Sequence, residues 1–84
     1  MADVMIYTTV SCPYCVQAKA LLAHKGVSYR EIDVTGDPAA RERLVAESGG
    51  RRTVPQIFIG GRSIGGFDDL KALDDAGELD HLLG

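Results

Sequence analysis

Val4-Met5-Ile6-Tyr7-Thr8 leads, through Thr9-Val10-Ser11, into Cys12-Pro13-Tyr14-Cys15. The first run is apolar, β-branched and aromatic, and too short for a helix, so it reads as a buried strand. Pro13 then marks a helix start, because the N–H that proline lacks has no partner in a first helical turn. Cys15, Ala18, Leu21 and Leu22 follow as a helical stripe, and Lys25-Gly26 closes it. Two residues between thiols at a helix start bring both sulfurs within bonding range. The first faces backbone N–H groups and the positive end of the helix dipole, which favour negative charge. A thiol so placed has a lowered pKa, and the thiolate is the nucleophile. The second lies one turn inside and is expected to be more shielded. This asymmetry predicts that Cys12 attacks and Cys15 resolves.

Downstream, Val27 to Val34 alternates with period two and predicts a second strand. Asp37 caps a second helix, with Pro38 inside it, running to about Ser48 before Gly49-Gly50. Gln56-Ile57-Phe58-Ile59 and Arg62-Ser63-Ile64 are strands joined by Gly60-Gly61, a strong hairpin signal. Gly65-Gly66 breaks the last strand, and a helix runs from Phe67-Asp68-Asp69-Leu70 to about Ala76. Glu78 to Leu83 allows one more short turn. The predicted order is β-α-β-α-β-β-α plus that tail. It is an α/β fold whose first βαβ unit is parallel and right-handed and whose hairpin is antiparallel. No repeat or linker interrupts it, so residues 1–84 are expected to form one domain.

The chain carries nine Lys+Arg against twelve Asp+Glu, a formal charge of −3. A nucleic-acid binder would show a basic surplus instead. Apolar residues at 45% and charged residues at 25% are those of a soluble globular chain rather than a disordered one. No apolar run approaches the length of a membrane span. Met1-Ala2-Asp3-Val4-Met5-Ile6 shows neither the basic nor the long apolar region of a signal peptide. Two cysteines, three positions apart, do not make a secreted disulfide scaffold, and the reducing cytoplasm is the expected compartment. A structural disulfide closing so short a loop would restrict the unfolded chain little. Zinc needs about four ligands. Beyond the cysteines only His24 and His81 remain, far apart and without finger spacing, so no metal site is expected. Each histidine suits a helix end or the surface.

The motif Cys12-Pro13-Tyr14-Cys15 beside a βαβ pattern is thioredoxin-like. Together with Ile6-Tyr7-Thr8, Thr53-Val54-Pro55-Gln56-Ile57-Phe58-Ile59, and Ile64-Gly65-Gly66 followed by Asp68-Asp69, it resembles the dithiol glutaredoxins of the small bacterial type. The resemblance covers essentially the whole chain. It implies a thioredoxin fold, with a four-stranded mixed sheet flanked by helices. It implies glutathione as the reducing cosubstrate, with no metal or prosthetic group. The substrates it implies are protein disulfides and glutathionylated proteins, ribonucleotide reductase among the candidates, with the chain working as a monomer.

By itself, Val54-Pro55 is better read as a trans proline entering an edge strand, since only about 5–6% of X–Pro bonds in folded proteins are cis. The resemblance implies the cis form, with the Val54 N–H and C=O turned from the sheet to pair with an extended peptide. Gly65-Gly66-Phe67-Asp68 alone is either a plain turn with acidic residues at a helix start or an anion site. The resemblance implies the second: a γ-glutamyl carboxylate on the N–H groups of Phe67 and Asp68, close approach at Gly66, and the Asp68 side chain against the ligand ammonium. Thr53 belongs to the same constellation, and Tyr14 is expected to line the groove. Among Arg41, Arg51 and Arg52, Arg41 is the expected partner of the glycine carboxylate, through a bidentate pair.

Two positions depart from the family pattern. Thr9 stands where most members carry lysine three residues before the first cysteine, which predicts a less depressed Cys12 pKa unless Arg51 or Arg52 compensates. Phe67 replaces a smaller residue, tolerable if only its N–H is used. Two further readings remain: a thioredoxin-like donor reduced by a flavoenzyme, which would need no Gly65-Gly66-Asp68 pocket, and an iron–sulfur cluster carrier. Pro13, by resemblance, disfavours the latter.

Overall fold

The computed structural model describes residues 2–84. The chain runs β1 (Val4–Thr8), α1 (Pro13–His24), β2 (Arg30–Asp33), α2 (Pro38–Glu47), β3 (Gln56–Ile59), β4 (Arg62–Gly65), α3 (Phe67–Asp75) and α4 (Leu79–Leu83). One four-stranded sheet forms in the order β2-β1-β3-β4. β1 pairs parallel with β2, and β3 pairs antiparallel with both β1 and β4. This is the four-stranded mixed sheet that the family resemblance implies. Among the described residues, no helix is long and apolar enough to cross a membrane.

Strand alternation sorts the apolar residues onto two faces. Val4 and Ile6 of β1, with Ile57 and Ile59 of β3, pack against Ala18 and Leu22 of α1, Leu70 of α3, and Leu79 and Leu83 of α4. On the opposite face Tyr7 and Phe58 pack against Ala40 and Leu44 of α2 and against Val34. Helices on both faces explain why β3 is buried throughout and why Ile57-Phe58-Ile59 reads as continuous apolar sequence. Leu22, Leu44, Leu70 and Leu79 are fully buried, and each stabilises the fold by about 1.5–3 kcal/mol relative to an exposed side chain. Tyr7 and Phe58 meet edge to face at 5.8 Å, and the Tyr7 hydroxyl donates to Glu47 Oε1 at 2.5 Å. Burial first, and Glu47 second, push the Tyr7 phenol above its ordinary pKa.

Two boundaries differ from expectation. The second strand is half the predicted length, Arg30–Asp33 rather than Val27–Val34. Its parallel partner offers a ladder only from Met5 to Thr8. Val27 instead donates its N–H to Leu22 O at 3.4 Å and helps close α1. The C-terminal tail is a short helix whose Leu79 and Leu83 are buried. Lys25 ties this end of the fold together, reaching Asp74 at 2.6 Å and Asp80 at 3.1 Å. The hairpin forms as read, with positive φ at both Gly60 (59°) and Gly61 (80°), as a two-residue turn of that type requires. A register shift in the β3–β4 ladder then places Gly65 opposite Ile57 and leads the chain into α3.

Candidate active site

The C-terminal end of β1 delivers the chain to the first turn of α1. The connecting loop is fixed from β2: Thr35 Oγ1 accepts the Val10 N–H at 3.0 Å, and Asp33 Oδ1 accepts the Thr35 N–H at 2.8 Å. The hydrogen bonds from Thr35 hold the Asp33 carboxyl below its ordinary pKa. Beneath the loop, Glu31 Oε2 accepts from Thr8 Oγ1 at 2.8 Å and from Lys19 Nζ at 3.0 Å. Those bonds, Thr8 first, lower the Glu31 pKa.

Cys12 is the N-cap of α1, in extended conformation (φ −137°, ψ 96°), with Pro13 as the first helical residue. Its sulfur accepts the Cys15 N–H at 3.0 Å. Cys12 and Cys15 are disulfide-bonded, with Cα atoms 5.1 Å apart. Cys12 is half-buried, whereas Cys15 is only 1% exposed. Of the two residues Cys12 is thus the more exposed and Cys15 the sheltered one.

Three chain segments meet, one of them the Cys12–Cys15 motif through Tyr14. Tyr14, Thr53, Val54, Pro55, Gly66, Phe67 and Asp68 together line one groove of about 210 Å³. The Val54-Pro55 peptide bond is cis. Tyr14 is 58% exposed and stacks on Phe67, ring centroids 6.4 Å apart. Val54 precedes the β3 ladder, which begins at the Tyr7–Gln56 pair. Phe67 and Asp68 open α3, where the first N–H groups have no intrahelical acceptor. A Cβ on Gly66 would lie 3.5 Å from Pro55 O, so the two walls are in van der Waals reach of each other.

Every predicted glutathione residue but one lies in this groove. Arg41 lines a neighbouring groove of about 420 Å³ with Pro38, Glu42, Val45, Ala46 and Arg52. Its Nη1 donates to Arg52 O at 2.9 Å, one residue from Thr53. Thr9, half-buried, supplies no cation beside Cys12. Arg51 is turned toward Asp69, Nη1 to Oδ2 at 3.3 Å. Among the described residues, no cluster of three or more His, Cys, Asp or Glu is placed to hold a metal ion.

Two residues carry roles that the sequence reading did not assign. Asp69 Oδ2 accepts the Gly66 N–H at 3.0 Å. The spacing of Gly66 and Asp69 is the second half of a capping box and was the available signal. Gln56 is fully buried, and its Nε2 donates to Thr53 Oγ1 at 3.2 Å while its Oε1 has no partner among the described residues. A lone amide opening an otherwise apolar strand was the sign of it.

Known proteins agree with this architecture. The family profile for Glutaredoxin matches residues 4–64. "Glutaredoxin 3" of Escherichia coli (strain K12) is 58% identical over 83 residues, covering 99% of each chain. "Glutaredoxin" of Pseudomonas aeruginosa is 54% identical over 83 residues, covering 99% of this chain and 98% of the relative. The solution structure of glutaredoxin from Brucella melitensis superposes with a TM-score of 0.86 at 55% identity, covering 99% of this chain and 89% of that one. The crystal structure of a buckwheat glutaredoxin–glutathione complex does so with a TM-score of 0.87 at 30% identity, covering 98% of this chain and 76% of that one. With its Cys12–Cys15 pair at disulfide distance on this sheet, the chain belongs to the glutaredoxin family, the glutathione-dependent thiol–disulfide oxidoreductases.

Proposed function

We propose that Cys12 is the nucleophile and Cys15 the resolving thiol, and that the Tyr14–Thr53–Phe67 groove holds the glutathione. The observation that carries this reading is the convergence of the three segments on one groove, which the Cys12–Cys15 motif enters through Tyr14. The Cys12 thiolate attacks the glutathione sulfur of a protein–glutathione mixed disulfide, and the protein thiolate leaves. A second glutathione thiolate then attacks the Cys12-bound glutathione sulfur, releasing glutathione disulfide and restoring the Cys12 thiolate. With a protein disulfide, Cys12 attacks one sulfur, and Cys15 loses its proton and attacks Cys12. The substrate leaves as a dithiol, and two glutathiones reduce the Cys12–Cys15 disulfide.

Each groove residue has a distinct part in binding. Val54 offers backbone N–H and C=O to the cysteinyl residue of the tripeptide. The free N–H groups of Phe67 and Asp68 take the γ-glutamyl carboxylate, where the α3 dipole also favours negative charge. The Asp68 carboxylate faces the ligand ammonium. Tyr14 and Phe67 form an apolar wall, Gly66 admits the ligand backbone, and the Thr53 hydroxyl borders the floor. Arg41 receives the glycine carboxylate beyond Thr53, at the far end.

A glutaredoxin–glutathione complex among the similar structures supports this choice of ligand. The chain acts as a single domain and a monomer, in the reducing cytoplasm that its cysteine usage suits. Its substrates are disulfide-containing or glutathionylated proteins, with ribonucleotide reductase a candidate. The test uses a glutathionylated peptide with purified Cys12→Ser and Cys15→Ser variants. Glutathione with glutathione reductase, or a flavoenzyme that reduces thioredoxin, serves as the only electron source. Cys12→Ser is expected to be inactive, and Cys15→Ser to keep deglutathionylation with glutathione alone. Activity in Cys12→Ser, or turnover driven only by the flavoenzyme, would overturn the reading.

A further inference from the structure

The groove has two walls that come from distant parts of the chain, Thr53–Pro55 before β3 and Gly66–Asp68 at the start of α3. One ion pair bridges them from outside: Arg51 Nη1 to Asp69 Oδ2 at 3.3 Å. Arg51 lies two residues before the first wall, and Asp69 directly follows the second. Each partner is itself anchored to backbone. Ser48 Oγ accepts the Arg51 N–H at 3.1 Å and lies 3.1 Å from Arg51 O, which fixes the arginine to the end of α2. The same Asp69 oxygen that meets Arg51 accepts the Gly66 N–H at 3.0 Å.

Gly65 shows how closely this bridge is fitted. It is buried, at φ +116°, and a Cβ there would collide with both Asp69 Oδ2 and Arg51 Nη1. The pair closes over a backbone that has no side chain to hold it off. It also separates the work of two adjacent carboxylates: Asp69 is engaged by Arg51 and the Gly66 N–H, while Asp68 lines the groove.

We propose that Arg51 and Asp69 are positioning residues that hold the two walls at the spacing glutathione requires, so that their ion pair governs affinity for glutathione without touching it. The inference rests on the groove's being the glutathione site. Both side chains are about half exposed, so the pair is modest in strength and screened by salt. It joins a loop to a helix start rather than two parts of the core. Its loss therefore loosens the groove more than it lowers the melting temperature.

The experiment compares glutathione KM and kcat for the full chain and its Arg51→Met, Asp69→Asn, Arg51→Lys and double Arg51→Met/Asp69→Asn variants, at low and high potassium chloride. Asp69→Asn keeps an acceptor oxygen for the Gly66 N–H and removes only the charge. Each single charge-removing variant is expected to raise KM about two- to fivefold, as loss of a half-exposed pair allows, with kcat within about twofold. The double variant is expected to match the singles, because the energy belongs to the pair. Arg51→Lys is expected to recover most of the loss. High salt should raise the wild-type KM by a larger factor than that of the variants, because screening of glutathione's own charged contacts acts on all of them while only the wild type also has the ion pair to lose. Unchanged KM in both singles overturns the proposal. So do penalties that multiply in the double variant, which would place Arg51 directly on the ligand. A wild-type chain with no glutathione-dependent turnover would overturn the site assignment, and the clamp with it.

Discussion

The backbone N–H of Cys15 donates to the sulfur of Cys12 at 3.0 Å, so a sulfur fills the N-cap place that an oxygen usually takes in helices. When the disulfide is reduced, the charge left on Cys12 lies against the first N–H groups of α1, while Cys15 lies at 1% exposure in the core. Both effects separate the two thiols. The helix end favours the Cys12 thiolate, and burial disfavours that of Cys15. In the reduced protein, iodoacetamide at pH 6 is expected to alkylate Cys12 at least about tenfold faster than Cys15, because only Cys12 combines a thiolate favoured by the helix end with exposure to the reagent. Peptide mass mapping over a time course reads this directly, and equal rates would refute it.

Thr9 gives a second handle on the same thiolate. A lysine at this position would bring a cation toward Cys12. Thr9→Lys is expected to speed alkylation at pH 6 by about two- to fivefold, the range of a partly exposed charge interaction. High salt should shrink the gain by screening. A rate that stays level at low salt would show that the α1 terminus alone sets Cys12 reactivity.

Glu31 makes part of the stability pH-dependent. Its folded pKa lies below the ordinary 4.5, because Thr8 and then Lys19 bind the ionised form. The unfolded chain therefore takes up the proton first as pH falls. This share of stability is complete above about 4.5 and is lost as pH drops through the folded pKa. Urea unfolding at pH 7 and pH 3.5 is expected to show a smaller difference for Glu31→Gln than for the wild type. Identical acid limbs would contradict the assignment.

Tyr7→Phe removes the hydroxyl that reaches Glu47 but keeps the ring against Phe58. Glu47 is exposed and can turn to water, so the cost is about 1 kcal/mol. In a chain of this size that is a fall in Tm of about 4–8 °C. The alkaline side carries the opposite sign to Glu31. With the Tyr7 pKa raised above 10.0, its contribution is complete below that pH and is lost as pH rises through the folded value. The phenylalanine variant lacks that loss, and calorimetry at pH 7 and pH 10.5 measures both effects.

The parts of the fold legible in the sequence are those that local chemistry dictates. Pro13 after Cys12, Asp37 before Pro38, and the Gly60-Gly61 pair each allow few backbone conformations, and the elements they start or join form as read. Val27 to Tyr29 reads as strand because its alternation is real: Val27 and Tyr29 pack against one face of the core and Ile32 against the other. A ladder also needs a partner, and β1 offers none to residues 27–29. The groove was legible as a set of motifs, but its closure was not. Nothing local joins Arg51 to Asp69, and the position of Arg41 beside Arg52 O rather than in the groove depends on how α2 packs. Gln56 was read only as a strand residue, since burial of its amide beside Thr53 is a tertiary fact.

The account stands most directly on where glutathione lies once joined to Cys12. In the Cys15→Ser chain, Cys12 can be held as a mixed disulfide with isotope-labelled glutathione, and NMR can read contacts from the tripeptide to backbone amides. The account predicts contacts to Val54 and to Phe67 and Asp68, together with the Tyr14 ring. Glutathione that touches only the neighbours of Cys12, or that settles instead between Arg41 and Val45, would contradict it.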